Sequence, residues 1–268
     1  MEKQMFCFQC EQTAGCTGCM GKAGVCGKTA DVALWQEMGR ETREAFNRRF
    51  YHADKGWYDN NTVTANILAL RWGLVPEGEA DRVFGQVVAK MTAAGTPHIS
   101  TGVLGTQEIM RGLTDYGRGD IAYTLATNRT YPSWGFMTDH GATTIWELWN
   151  GGTANPRMNS GNHIMLLGDL VIWYYQYLAG IGQTSDSRGY SHIRLQPRIP
   201  EGLSQVSATY RSPYGLIESR WRIDGDTMHW QFTIPANTTA EVCIPQQGGG
   251  YVIQHYGSGT YEVTAQVR

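Results

Sequence analysis

Near residue 190 the hydrophobic period of this chain changes from about 3.6 residues to about two, and no single layer of structure satisfies both periods. From residue 33 to 182 the pattern is helical. In DVALWQEMGRETREAFNRRF, Val32, Leu34, Trp35, Met38 and Phe46 recur at near-helical intervals. TANILALRWGL, ADRVFGQVVAKMTAAG, EIMRGLTDYG and DIAYTLATN follow, and several close on Gly or Asn as helix C-termini do. NHIMLLGDLVIWYYQYLAG is apolar on nearly every side, which predicts a helix buried among others. Helices joined by short turns, with no strand pattern between them, predict an all-α array.

Beyond the change, HIRLQPR, SATYRS, LIESRWRID, TMHWQFTIP, TAEVCIP and GTYEV alternate apolar and polar residues. Turn signals at Asp224-Gly225 and QQGGG separate them, so residues 183–268 predict an antiparallel β-sandwich. The polar stretch GQTSDSRGY reads as the linker between the two regions. Residues 1–32 fit neither period. They are rich in Gly, Cys and Thr and form a third, short segment.

The net charge of -2 implies no polyanionic partner, so nucleic acid is not expected. No apolar run reaches the roughly 18 residues of a membrane helix, and no charged n-region precedes an apolar h-region at the start. A cytoplasmic location without membrane attachment is the expectation. Clustered cysteines in that setting favour metal or redox chemistry over disulfides.

Five of the six cysteines lie between Cys7 and Cys26. Cys7 and Cys10 form C-x2-C, and Cys19 and Cys26 follow on glycine-rich backbone. Thiolates so spaced converge on one iron–sulfur cluster or one zinc, while inert or disulfide-linked thiols are the other reading. Cys16 fits no ligand position. FCFQCEQTA…GC…GVCGKT resembles the N-terminus of the hybrid-cluster proteins, or hydroxylamine reductases, over about residues 5–32. That resemblance implies a [4Fe–4S] cluster on Cys7, Cys10, Cys19 and Cys26. Nothing after Lys28 resembles the later part of that family, where its reductive chemistry is ligated.

A second constellation is TYPSWGFMTDHGATTIWELWNGG, where Trp134, Phe136, Trp146 and Trp149 surround the carboxylate Glu147. A carboxylate between two indoles is costly unless hydrogen-bonded or used. Acid–base work and a partly exposed helix-capping role both fit it. The blocks AFNRRF, TANILALRWGLVP, STGVLGT, DIAYTLA, YPSWGFM…GATTIWELW, NHIMLLGDL…WYYQYLAGI, GYSHIRLQP and VSATYRSPYGLIES resemble, in order, the bacterial α-L-rhamnosidases over about residues 36–268. The resemblance implies an α + β multidomain fold. A partial (α/α)6 six-hairpin barrel at 33–182 is followed by a β-sandwich at 183–268.

It also implies inverting hydrolysis of terminal α-L-rhamnosyl groups with no cofactor. Glu147 is then the general base, His163 contacts the sugar, and Trp134 stands in the sugar pocket or in the core. Inversion needs two carboxyl groups roughly 6.5–9.5 Å apart. The family's acidic block for the second one is not present here; Asp54, Asp59, Asp115 and Asp139 are the acids at hand, and Asp54 and Asp59 read as turn residues. The expectation is therefore a truncated rhamnosidase-like chain, inactive by itself, that associates through exposed apolar helix faces. An iron–sulfur protein and a non-functional fusion of two ancestries joined near KTADVALWQE are the alternatives.

Overall fold

The computed structural model describes residues 5–7, 19–21, 29–151 and 160–267. At the start, strands β1 (Met5–Cys7) and β2 (Cys19–Gly21) pair antiparallel, with Cys7 opposite Cys19. Cys10, Cys16 and Cys26 lie outside the described residues.

Helix α1 spans Ala30–Phe50, and the Thr29 hydroxyl caps it by accepting from the Val32 N–H at 3.4 Å. A small hairpin of β3 (Tyr51–His52) and β4 (Trp57–Tyr58) follows. Asp54 lies in its turn, and Asp59 just beyond β4 adopts a positive φ of 46°, the conformation Asp tolerates in turns. The array continues through α2 (Val63–Arg71), α3 (Ala80–Thr92), α4 (Val103–Asp115), α5 (Gly119–Thr127), α6 (Trp134–Asp139) and α7 (Met165–Trp173). Thr62 caps α2 as Thr29 caps α1. A π-helical turn, Tyr174–Leu178, extends α7.

Ile67, Val83, Val87, Ile109, Leu113, Ile121, Leu125 and Trp173 form the helical core. Helices α2 and α4 approach closely because α4 carries glycine at the contact: a Cβ on Gly112 would sit 2.5 Å from the Ile67 side chain. The buried Asn66 is satisfied by the Tyr58 N–H at 2.8 Å and by Asn61 at 2.7 Å.

One expectation about burial is corrected here, that of the last helix. In the first turns of α1 Ala33 is buried, while Trp35 is 67% exposed, and Val32, Leu34 and Met38 are exposed with it. Helix α7 is buried on one face alone. Ile164, Met165, Val171, Ile172 and Tyr175 form an exposed stripe at helical spacing. Apolar composition supplies the tendency to be buried, but a second packing surface must exist, and among the described residues neither stripe has one.

The sandwich consists of two four-stranded sheets, ordered β11-β10-β6-β5 and β12-β9-β8-β7. The strands are β5 (Ile181–Gln183), β6 (His192–Leu195), β7 (Gln205–Ser212), β8 (Gly215–Asp224), β9 (Thr227–Ile234), β10 (Thr239–Pro245), β11 (Tyr251–Tyr256) and β12 (Gly259–Gln266). All pairings are antiparallel except β6 with β10. Ile193, Ile217, Trp221, Trp230, Phe232 and Val242 fill the space between the sheets.

The expected linker at 182–190 is instead strand β5 with its loop to β6, in which the Thr184 N–H donates to His192 O at 3.1 Å. The turn between the two regions comes earlier, at Gly180. Its φ is 74°, and a Cβ there would strike the backbone of Gln196 and Pro197. Trp221 Nε1 donates to Leu178 O at 2.8 Å and the Ser219 hydroxyl donates to Ala179 O at 2.6 Å. The end of the helical region is thus hydrogen-bonded into the sandwich core.

Candidate functional site

Glu147 lies in an irregular segment between α6 and α7 whose shape is set by pairing with the chain just before α7. The Glu147 N–H donates to Ser160 O at 3.1 Å, and the His163 N–H donates to Ile145 O at 2.6 Å. The Thr144 hydroxyl donates to Gly161 O. These bonds bring Glu147 and His163 to one place.

The Ser160 N–H donates to Glu147 Oε2 at 2.9 Å, so one carboxylate oxygen is held. Oε1 takes no hydrogen bond among the described residues. His163 Nδ1 is 3.9 Å from Oε2, close but beyond hydrogen-bond range. His163 Nε2 is buried and has no hydrogen-bond partner among the described residues. A buried ring nitrogen without a partner is costly, and a ligand hydroxyl is one way to satisfy it.

Trp134 stands behind this site. It is 6% exposed, and its indole N–H donates to Leu166 O at 2.9 Å. Trp149 packs edge-on against it at 5.4 Å and donates to Thr101 O at 3.1 Å. Trp149 thereby ties the Glu147 segment to the chain just before α4, and Trp134 ties α6 to α7. Trp134 faces the core, and its hold on Leu166 fixes the first turn of the helix that follows His163.

The other carboxylates named from the sequence are engaged elsewhere. Asp139 forms a two-pronged ion pair with Arg129. Asp115 pairs with Arg71 and accepts from the Tyr177 hydroxyl at 2.9 Å. The hydrogen-bonding and charged partners of Glu147 among the described residues are Ser160 and His163, and neither is an acid.

One buried carboxylate is not among the candidate residues named from the sequence. Asp169, on α7, is buried, and its Oδ1 accepts from Arg111 Nε on α4 at 2.6 Å. Its Oδ2 has no partner among the described residues. Burial pushes the Asp169 carboxyl up to about 6, while the Arg111 guanidinium pulls the other way. A lone Asp in an apolar helix was the available signal; its partner lies 58 residues away in the chain.

As for the cysteine cluster, the backbone places Cys7 and Cys19 at facing positions of one ladder, while Cys10 and Cys26 are outside the described residues. Among the described residues no three His, Cys, Asp or Glu side chains are grouped to hold a metal ion.

Comparison with known families settles the ancestry of the larger part. The bacterial α-L-rhamnosidase six-hairpin glycosidase domain matches residues 13–178. The chain belongs to the bacterial α-L-rhamnosidase family. The rhamnosidase C-terminal domain matches residues 180–258. An α-L-rhamnosidase of Formosa agariphila is 35% identical over 228 residues, covering 83% of this chain and 24% of that protein. One from Streptomyces avermitilis is 36% identical over 220 residues, covering 80% and 21%. The crystal structure of a Streptomyces avermitilis α-L-rhamnosidase complexed with L-rhamnose superposes with a TM-score of 0.79 at 33% identity, covering 89% of this chain and 24% of that one.

The chain thus spans about a quarter of the length of the rhamnosidases it matches. The helical region followed by an antiparallel sandwich is the expected fold class, and the solved rhamnosidases share it. The cysteine-rich start has a different likeness. A hydroxylamine reductase of Clostridium novyi is 62% identical over 64 residues, covering 24% of this chain and 12% of that protein.

Proposed function

We propose that this chain carries the general-base half of an α-L-rhamnosidase site and binds a terminal α-L-rhamnosyl group between Glu147 and His163. The observation that carries the reading is the pairing of a carboxylate held at one oxygen with a buried imidazole nitrogen that lacks a partner among the described residues. In this reading Glu147 Oε1 takes a proton from water as the water oxygen attacks the anomeric carbon. His163 Nε2 meets a sugar hydroxyl. The departing oxygen needs a proton from a second carboxylic acid, and no acid accompanies Glu147 among the described residues that bond or pair with it. Binding of rhamnose with little hydrolysis is therefore expected, since loss of general-acid help costs on the order of 10²–10⁴ in rate.

The test has two readouts on the full chain: titration with L-rhamnose followed by NMR, and release of the aryl group from an aryl α-L-rhamnoside. Wild type should bind L-rhamnose, and His163→Gln should weaken that binding. Any hydrolysis present should vanish in Glu147→Gln. A wild-type chain blind to L-rhamnose, or hydrolysis that Glu147→Gln leaves intact, would falsify the reading.

A second proposal concerns residues 5–32 alone: a [4Fe–4S] cluster on Cys7, Cys10, Cys19 and Cys26. The likeness to hydroxylamine reductases and the facing positions of Cys7 and Cys19 support it. That likeness runs over 64 residues, further than the expected 5–32, so it extends past Thr29 and α1, and two ancestries would join later in the chain than KTADVALWQE. Anaerobic reconstitution with iron and sulfide should yield a brown protein with about four irons per chain. A colourless, iron-free product would sink the idea.

A further inference from the structure

Ser160 meets Glu147 at both of its backbone groups. Its N–H donates to Glu147 Oε2 at 2.9 Å, and its carbonyl accepts from the Glu147 N–H at 3.1 Å. The carboxylate is thus folded back onto the residue that pairs with its own backbone. That grip holds Oε2, the oxygen 3.9 Å from His163 Nδ1, and leaves Oε1 without a hydrogen bond among the described residues.

The Ser160 side chain acts on the same turn. Its hydroxyl donates to Asn162 O at 3.0 Å and accepts from the Asn162 N–H at 3.2 Å. A serine hydroxyl bonded two residues on closes a tight turn. Such a serine is ordinary in itself. What distinguishes this one is that the carboxylate and the imidazole both hang from the turn it closes, because the next residue, His163, is anchored through its N–H on Ile145 O at 2.6 Å. Gly161 and Asn162 are exposed, so packing does little to shape the turn, and Gly161 adds backbone freedom. Hydrogen bonds must set it: the Ser160 hydroxyl across it, and the Thr144 hydroxyl on Gly161 O.

We propose that Ser160 is a positioning residue of this site. Its hydroxyl fixes the 160–163 turn, so that the Ser160 N–H takes Glu147 Oε2, Oε1 is the oxygen left to act as base, and His163 is held at a set place beside the carboxylate. The consequence for sugar binding rests on the rhamnoside reading above; the control of Glu147 by Ser160 rests on the turn alone.

The experiment is NMR on the full chain, with two readouts. The first is the amide resonance of residue 160 across a pH titration. An N–H bonded to an ionised carboxylate makes the stronger, charge-assisted bond, so in wild type the resonance should move upfield as Glu147 takes its proton. His163 is the other titratable group beside that oxygen. The response should therefore survive His163→Gln and disappear in Glu147→Gln. Ser160→Ala should lose most of it, and Ser160→Thr, which keeps the hydroxyl, should retain it. The second readout is titration with L-rhamnose. Ser160→Ala should weaken binding by about three- to tenfold, the factor expected for one lost hydrogen bond, and Ser160→Thr should restore it. The remaining amide resonances check the fold of each variant in the same spectra. A wild-type response that persists in Glu147→Gln overturns the assigned grip. A Ser160→Ala response equal to wild type, or a loss that Ser160→Thr does not restore, overturns the role of the hydroxyl. Silence of wild type toward L-rhamnose sinks the rhamnoside reading alone, and the amide response then decides for or against Ser160.

Discussion

In the sandwich, four of the six pairings join strands adjacent in sequence, and the exceptions are the parallel pairing of β6 with β10 and the antiparallel pairing of β9 with β12. In the helical region, α7 packs on α4 some fifty residues earlier and turns its other face to solvent. The contrast is one of how far each region must reach to bury its apolar surface. A sheet built from hairpins recruits its own neighbours, so Trp230 is buried and its indole N–H donates to the Ser219 hydroxyl on the paired strand at 3.0 Å. A six-hairpin barrel closes only when helices far apart in sequence meet. Here the stripes on α1 and α7 have no partner among the described residues.

Tryptophan substitutions test that contrast most strongly. Trp230→Ala, in the sandwich core, should lower unfolding stability by about 3–5 kcal/mol in urea melts. Trp35→Ala, the same deletion on exposed α1, should change it by no more than about 0.5 kcal/mol. Comparable losses at both positions would mean that α1 is covered after all.

The Asp169–Arg111 pair is the helical region's own cross-link. A carboxyl raised to about 6 holds its proton in the folded state where the unfolded chain has lost it. Stability from this group is therefore full below about pH 4 and falls as pH rises toward and through 6. The loss is at most about 3 kcal/mol. Melts across that range should show the decline, and Asp169→Asn should flatten it. An unchanged slope in the variant would remove Asp169 from the account.

Smaller again is Gly112→Ala. Its new methyl meets Ile67 where α2 and α4 touch, and a cost of about 1–3 kcal/mol is expected from forced displacement. Smallest is Ile172→Gln on the open face of α7, expected within about 0.5 kcal/mol of wild type. Sedimentation should show that wild type self-associates with concentration and that Ile172→Gln does so less. A wild type that stays monomeric at high concentration would break the link between the open stripe and association.

The residues themselves determined what depends on near neighbours. The change from helical to alternating period marked the two regions, and Thr29, Thr62 and Ser133 cap their helices as short polar side chains do. Six of the eight sandwich strands follow from alternation. The short β5 was read as linker, and β11, with Val252 and Ile253 both exposed, does not alternate. Glu147 and His163 stood out as candidates through their motifs, and they lie 3.9 Å apart.

Tertiary structure decided what depends on distant partners. It set the ladder from 144–147 to 160–163 that brings carboxylate to imidazole, and the inward turn of Trp134 toward Leu166. It paired Asp169 with Arg111, and it left one face of the otherwise apolar α7 in water. Periodicity and capping are contacts a few residues long, so the chain spells them out locally. Burial and pairing are properties of whichever surface arrives from elsewhere, and no local pattern carries that information.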